Sequence, residues 1–139
     1  MPICCLTLKA RKPVPDGYPV KPETVGEHIR KRRMDLELFQ RQAAVEINVN
    51  AATLWNWEHN QSSPAVRHWP AILVFLGYDP HPEPQTLADR VIATRRRRGL
   101  SRRKLARQLG IDESTVSRVE AGDRPRRKNL AAFEGLRLP

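Results

Sequence analysis

Apolar residues recur along this chain at helical spacing, and no stretch shows the two-residue alternation of a half-buried strand. Val25 and Ile29 fall four apart, as do Leu87 and Val91, each pair just after a threonine that can cap a helix. Thr24-x-x-Glu27 is a capping box and Thr86-x-x-Asp89 a near version of it, so both predict a helix start. A second helix capped by Ser101 carries Leu105, Ala106 and Leu109, and Gly110 ends it, because glycine accepts the positive φ of a sharp turn. Asn48, the next best residue for that conformation, stands at the matching place upstream. After one apolar residue, Asn50 or Asp112 is expected to cap a third helix, carrying Leu54 and Trp57 or Val116 and Val119. Further apolar helices are expected over 70–76 and 130–136.

These signals repeat. Displacing the sequence by 62 positions aligns 24–58 with 86–120 without a gap, and seven of the 35 positions are identical. They are Thr24/Thr86, Arg33/Arg95, Leu38/Leu100, Arg41/Arg103, Ala44/Ala106, Thr53/Thr115 and Glu58/Glu120, and apolar positions elsewhere match apolar ones. The expected organisation is a leader over 1–23, extended or weakly ordered, a first unit over 24–78, a proline-rich linker over 79–85 and a second unit over 86–139. Alternating prolines within Tyr78–Gln85 predict an extended spacer, able to reach about 25 Å at ~3.1 Å per residue.

Charge distinguishes the two units. The chain of 139 residues carries +10, with 10 basic against 9 acidic residues over 1–85 and 15 against 6 over 86–139. Nearly all the excess positive charge therefore lies in the second unit, where a polyanion is the expected partner. Other chemistry finds no support. The longest apolar run, Ala71 to Leu76, is far short of the ~20 residues of a membrane span. No two of His28, His59, His68 and His81 share ligand spacing, so no metal or other cofactor is expected. Without a phosphate loop, nucleophile elbow or paired carboxylates, no enzyme is expected either. Cys4 and Cys5 are adjacent, form neither a disulfide framework nor a zinc motif, and read as an inert pair in a reducing cytoplasm. The apolar residues ahead of Lys9 reverse the order of a secretory signal.

The segment LSRRKLARQLGIDESTVSRVEAGDRP, 100–125, resembles the Cro/repressor-type, or XRE-like, helix-turn-helix family, and LFQRQAAVEINVNAATLWNWEHNQSSP, 38–64, is a more divergent match. Phe39 in place of a Ser or Thr cap, Arg102 in place of Gln and Asn60 in place of Gly are the departures. The resemblance implies an all-α protein of two small lambda-repressor-like helix-turn-helix bundles in tandem. It further implies that each third helix enters the major groove of double-stranded DNA while the second lies across the backbone. Carried over residue by residue, the base-reading positions are Glu113, Ser114 and Arg118, and in the first unit Ala51, Ala52 and Asn56. Arg118 and Glu113 suit a G·C-containing half-site, while the first-unit set suits A·T. Phosphate candidates are Gln40, Arg102, Arg103, Lys104, Arg107, Arg124, Arg126, Arg127 and Lys128. Arg33 with Glu58, and Arg95 with Glu120, correspond to the family's structural ion pairs. Trp57 reads as core, whereas Trp55 is open between stacking on a sugar, partial burial and anchoring a partner.

The function expected is sequence-specific DNA binding by a transcriptional regulator, most simply a repressor, located in the cytoplasm and on the nucleoid when bound. Two alternatives stay open: an adaptor or antitoxin-like protein whose first unit binds a protein partner while the second holds DNA, and nonspecific nucleic-acid binding. A homodimer is compatible with each.

Overall fold

Eight α-helices and a short 3₁₀ turn make up the regular structure of residues 13–136, the part of the chain that the computed structural model describes, and no strand occurs among the described residues. Cys4 and Cys5 lie outside this range, and so do Leu138 and Pro139. The helices are α1 (Val25–Asp35), α2 (Gln40–Ile47), α3 (Ala51–Glu58), α4 (Trp69–Leu76), α5 (Leu87–Arg97), α6 (Arg102–Leu109), α7 (Glu113–Glu120) and α8 (Arg127–Glu134), with the 3₁₀ turn at Val66–His68.

Local chemistry sets the boundaries. Thr24 Oγ1 accepts from the Glu27 N–H at 3.2 Å while Glu27 accepts from the Thr24 N–H at 3.3 Å. The same reciprocal box closes between Thr86 and Asp89. Such a box satisfies two of the donors a helix start leaves without an intrahelical partner. Asn50 caps α3 and Ser101 caps α6 through their side chains. Asp112 stands at the start of α7 but its side chain makes no cap bond, contrary to expectation; its backbone carbonyl instead takes the Thr115 N–H at 3.0 Å. The last helix also starts earlier than the apolar pattern predicts, at Arg127, and ends at Glu134, with Leu136 still buried beyond it.

Each group of four helices surrounds its own core. In the first, Ile29, Ala44, Ile47, Leu54, Trp57 and Ile72 pack together; in the second, Val91, Leu105, Ala106, Val116, Val119 and Phe133 do. The backbone repeats with the sequence. Left-handed residues fall at Glu37, Asn48 and Asn60 in the first bundle and at Gly99, Gly110 and Gly122, 62 positions on, in the second. The bundles differ where α1 crosses α3. A Cβ on Gly26 would lie 1.7 Å from the Trp57 carbonyl oxygen, whereas the matching position in the second bundle is Ala88. Glycine lets α1 approach α3 closely there.

The spacer expected over 79–85 is bonded at its start and does not run free. Asp79 accepts from the His81 N–H at 3.0 Å and from Arg97 Nε at 3.4 Å, because the arginine-rich last turn of α5 lies beside it. His81 meets the Trp69 ring edge-on at 5.0 Å, and the Arg96 guanidinium sits over the same indole at 4.9 Å. Burial holds His28, His68 and His81 below the ordinary imidazole value, with help from Lys31, Arg67 and Arg96 respectively. Burial alone would raise the Asp79 carboxyl, but the His81 N–H, Arg96 and Arg97 together bring it below its usual range.

Two predictions follow from this geometry. Gly26→Ala must push α1 away from α3 and should cost about 1–3 kcal/mol, the range for overpacking, in urea denaturation. Gly110→Ala, with open space around its Cβ but a φ of +67, should cost only about 1 kcal/mol. For His28, His68 and His81 the folded pKa lies below the unfolded one, so the unfolded chain takes up protons first as pH falls. Stability should therefore decline from about pH 6.5 downward, with a melting temperature lower at pH 5 than at pH 7.5 and no further gain above that.

Candidate nucleic-acid interface

The second bundle brings its basic residues to a surface organised by one buried carboxylate. Glu120, at the end of α7, has a side chain only 3% exposed and accepts from Arg95 Nε at 2.7 Å and Arg102 Nε at 2.6 Å. Arg95 Nη1 also donates to the Leu100 carbonyl at 3.3 Å, which joins α5, the α5–α6 turn and α7. Glu58 does the same in the first bundle, with Arg33 Nε at 2.6 Å, Arg33 Nη2 at 2.8 Å and Gln40 Nε2 at 2.9 Å.

This geometry gives two residues expected at phosphates a partner within the bundle. Gln40 and Arg102 occupy matching positions at the start of α2 and α6, and each turns inward to the carboxylate. The reason is physical: a buried carboxylate is costly unless several donors share it. Gln40 is half-buried, and Arg102 keeps about half of its side chain exposed while its Nε is taken.

Outward from that tie, the tight turn at Gly110 sets α7 against α6, and the Ile111 N–H closes on the Ala106 carbonyl at 3.1 Å. Glu113, Ser114 and Arg118 are exposed on α7. Ser114 and Arg118 line a cleft of about 490 Å³ with Thr115, Arg124, Arg126, Lys128 and Asn129. The first turn of α7 opens onto this cleft and contributes the positive end of its dipole. Arg118 Nε bonds Asp123 at 3.2 Å, with both side chains more than half exposed. An exposed pair of this kind is worth at most about 1 kcal/mol and yields readily to a better acceptor.

The remaining candidates do not converge there. Arg103, Lys104 and Arg107 are exposed along α6, Arg127 is exposed at the start of α8, and Glu113 does not line the cleft. Thr115 and Asn129 join the cleft without having been singled out from the sequence, although Thr115 is one of the seven repeated identities.

The first bundle presents the same backbone with different chemistry. Ala52 and Asn56 are exposed on α3 and Ala51 is half-buried. Where the second bundle has Lys104, Arg107 and Arg118, the first has Gln42, Val45 and Asn56. Val45 is 77% exposed and Phe39 78%. Trp57 is buried, whereas Trp55 is 45% exposed and stacks on His59 at 4.1 Å, and His59 Nδ1 donates to the Trp55 carbonyl at 2.8 Å.

Residues 86–133 match the family model of a helix-turn-helix domain. That span takes in α5, α6, the turn at Gly110, α7 and most of α8, so this part of the chain is similar to a helix-turn-helix domain. No curated protein and no solved structure matches the chain. Among the described residues, no helix is long and apolar enough to cross a membrane and no group of three His, Cys, Asp or Glu is placed to hold a metal.

Removing one partner of a buried ion pair costs about 3–5 kcal/mol, so Glu120→Ala should melt the second bundle far below the wild-type temperature, as followed by circular dichroism. Arg102→Gln installs the residue that bonds Glu58 in the first bundle and should leave that melt nearly unchanged.

Proposed function

We propose that the protein is a sequence-specific regulator that binds double-stranded DNA through two tandem XRE-like helix-turn-helix units, the second gripping and reading, the first reading with little grip. The observation that carries this reading is the concentration of exposed Arg and Lys around α7 and its cleft, within the span that matches a helix-turn-helix domain. In this arrangement Arg103, Lys104 and Arg107 on α6 and Arg124, Arg126, Arg127 and Lys128 before and along α8 meet phosphates, and α7 enters the major groove. Arg118 leaves Asp123 for a guanine edge, Glu113 accepts from cytosine, and Ser114 contributes little. Asn56 reads adenine, and Ala51 and Ala52 face a thymine methyl. Arg33–Glu58 and Arg95–Glu120 hold each reading helix in place. Occlusion of a promoter, and so repression, is the simplest outcome of such binding.

A second reading draws on the first bundle, whose exposed Phe39, Val45 and stacked Trp55 stand where cations would serve DNA better. In it, that face holds a protein partner while the second bundle holds DNA, and the chain is an adaptor.

Sheared genomic DNA retained at ~150 mM salt and then sequenced tests both, since nonspecific binding weakens steeply there. One enriched motif with two unlike parts, G·C-containing and A·T-rich, is the expected result; a single G·C-containing part favours the adaptor, and retention without a motif favours nonspecific binding. With about five of these seven cations on phosphates at once, the log-log salt slope should be near −4.5. Arg118→Ala should relax the preference at one base pair by about 1–3 kcal/mol while leaving that slope in place.

A further inference from the structure

Two buried apolar residues belong to neither core. Trp69, in the first turn of α4, and Ala93, midway along α5, are 8% and 6% exposed, yet neither packs in the first or the second cluster. They lie where α4 and the 3₁₀ turn rest against α5, and Thr94 beside Ala93 is fully buried. Polar ties flank them: Arg96 lies over the Trp69 indole, and Asp79 reaches Arg97 at 3.4 Å and Arg96 at 3.8 Å. A Cβ on Gly99, at the end of α5, would come within 2.9 Å of Pro70 Cγ.

The internal repeat shows that this face is special to the second bundle. Ala93, Thr94, Arg96 and Arg97 correspond to Lys31, Arg32, Met34 and Asp35. In the first bundle Lys31 lies over the Tyr18 ring and Arg32 reaches the Phe75 carbonyl, so long cations occupy the strip. In the second, two small residues replace them, α4 packs against this helix, and the Trp69 indole lies beneath Arg96 two to three residues further on. Thr94 Oγ1 and Arg96 Nη1 are buried there without a hydrogen bond to the protein.

We propose that the Trp69–Ala93 junction locks the two bundles into one rigid body, so that the separation of α3 and α7 is fixed and only one half-site spacing is accepted. The spacing rule rests on the reading of both bundles as DNA readers; the rigidity does not. Trp69, Ala93, Thr94 and Arg96 are then positioning residues, remote from DNA.

Nitrogen-15 relaxation on the full chain without DNA tests the rigidity. Amides of α1–α4 and α5–α8 should report one rotational correlation time; two shorter ones in the wild type would overturn the lock whatever DNA does. Ala93→Lys with Thr94→Arg installs the residues that the first bundle carries at the same helical positions, so α5 should still form. This variant should show two correlation times, and persistence of one would also overturn the lock at these residues. If the variant fails to fold, the wild-type relaxation still decides. On duplexes whose two enriched parts are moved one base pair apart, a rotation of about 34°, wild-type affinity should fall about tenfold or more and the variant's should change little. Indifference of the wild type to spacing, with one correlation time, would overturn the spacing rule and leave the lock standing.

Discussion

A carboxylate buried at the end of the third helix of each bundle and held by a guanidinium from the first is the constraint on which both bundles depend. Glu58 and Glu120 are withdrawn from water, and neither can be stable there without its donors. Satisfying them fixes three elements at once, because the arginine that reaches the carboxylate also bonds the carbonyl of the following turn, at Leu38 or Leu100. The angle between the second and third helices is thereby set by a hydrogen-bond network as well as by packing, and the outward face of α7 inherits its orientation. The geometry of the surface is thus a property of the interior.

Much of the fold was legible because its determinants are local. Capping boxes at Thr24 and Thr86, the apolar spacing behind them and the left-handed residues at Asn48 and Gly110 each act within a few positions, and a sequence displays them directly. Glu37, paired with Gly99, escaped notice because Glu does not advertise a positive φ, whereas Asn60, paired with Gly122, was visible as a departure from the family's Gly. The direction of a side chain in a first helical turn was not legible. Gln40 and Arg102 have the chemistry of phosphate ligands, and only the position of a carboxylate eighteen residues away in sequence turns them inward. Likewise Asp112 has a capping side chain but lets its backbone carbonyl serve instead.

The connector was the least legible part. Prolines encode a local preference for extension, whereas the contacts that hold Asp79 and His81 come from the far end of α5 and from α4. The trace was present all the same, in the replacement of Lys31 and Arg32 by Ala93 and Thr94 within an otherwise matched helix. Departures from an internal repeat therefore mark where one copy meets something the other does not. The same logic applies to the cations around α7, which the first bundle lacks almost position by position. Two copies of one three-helix backbone have been given different surfaces while their buried ion pairs stay alike.

The placement of the aromatic residues makes the molecule optically lopsided. Trp55, Trp57 and Trp69 all precede the connector, and the second bundle contains no tryptophan. Indole emission consequently watches α3 and α4, through one ring stacked on an imidazole, one in a core and one beneath the Arg96 guanidinium of α5, while the core of the basic bundle stays dark. Fluorescence and circular dichroism thus view different portions of the same chain, and any disagreement between them carries spatial information without an added label.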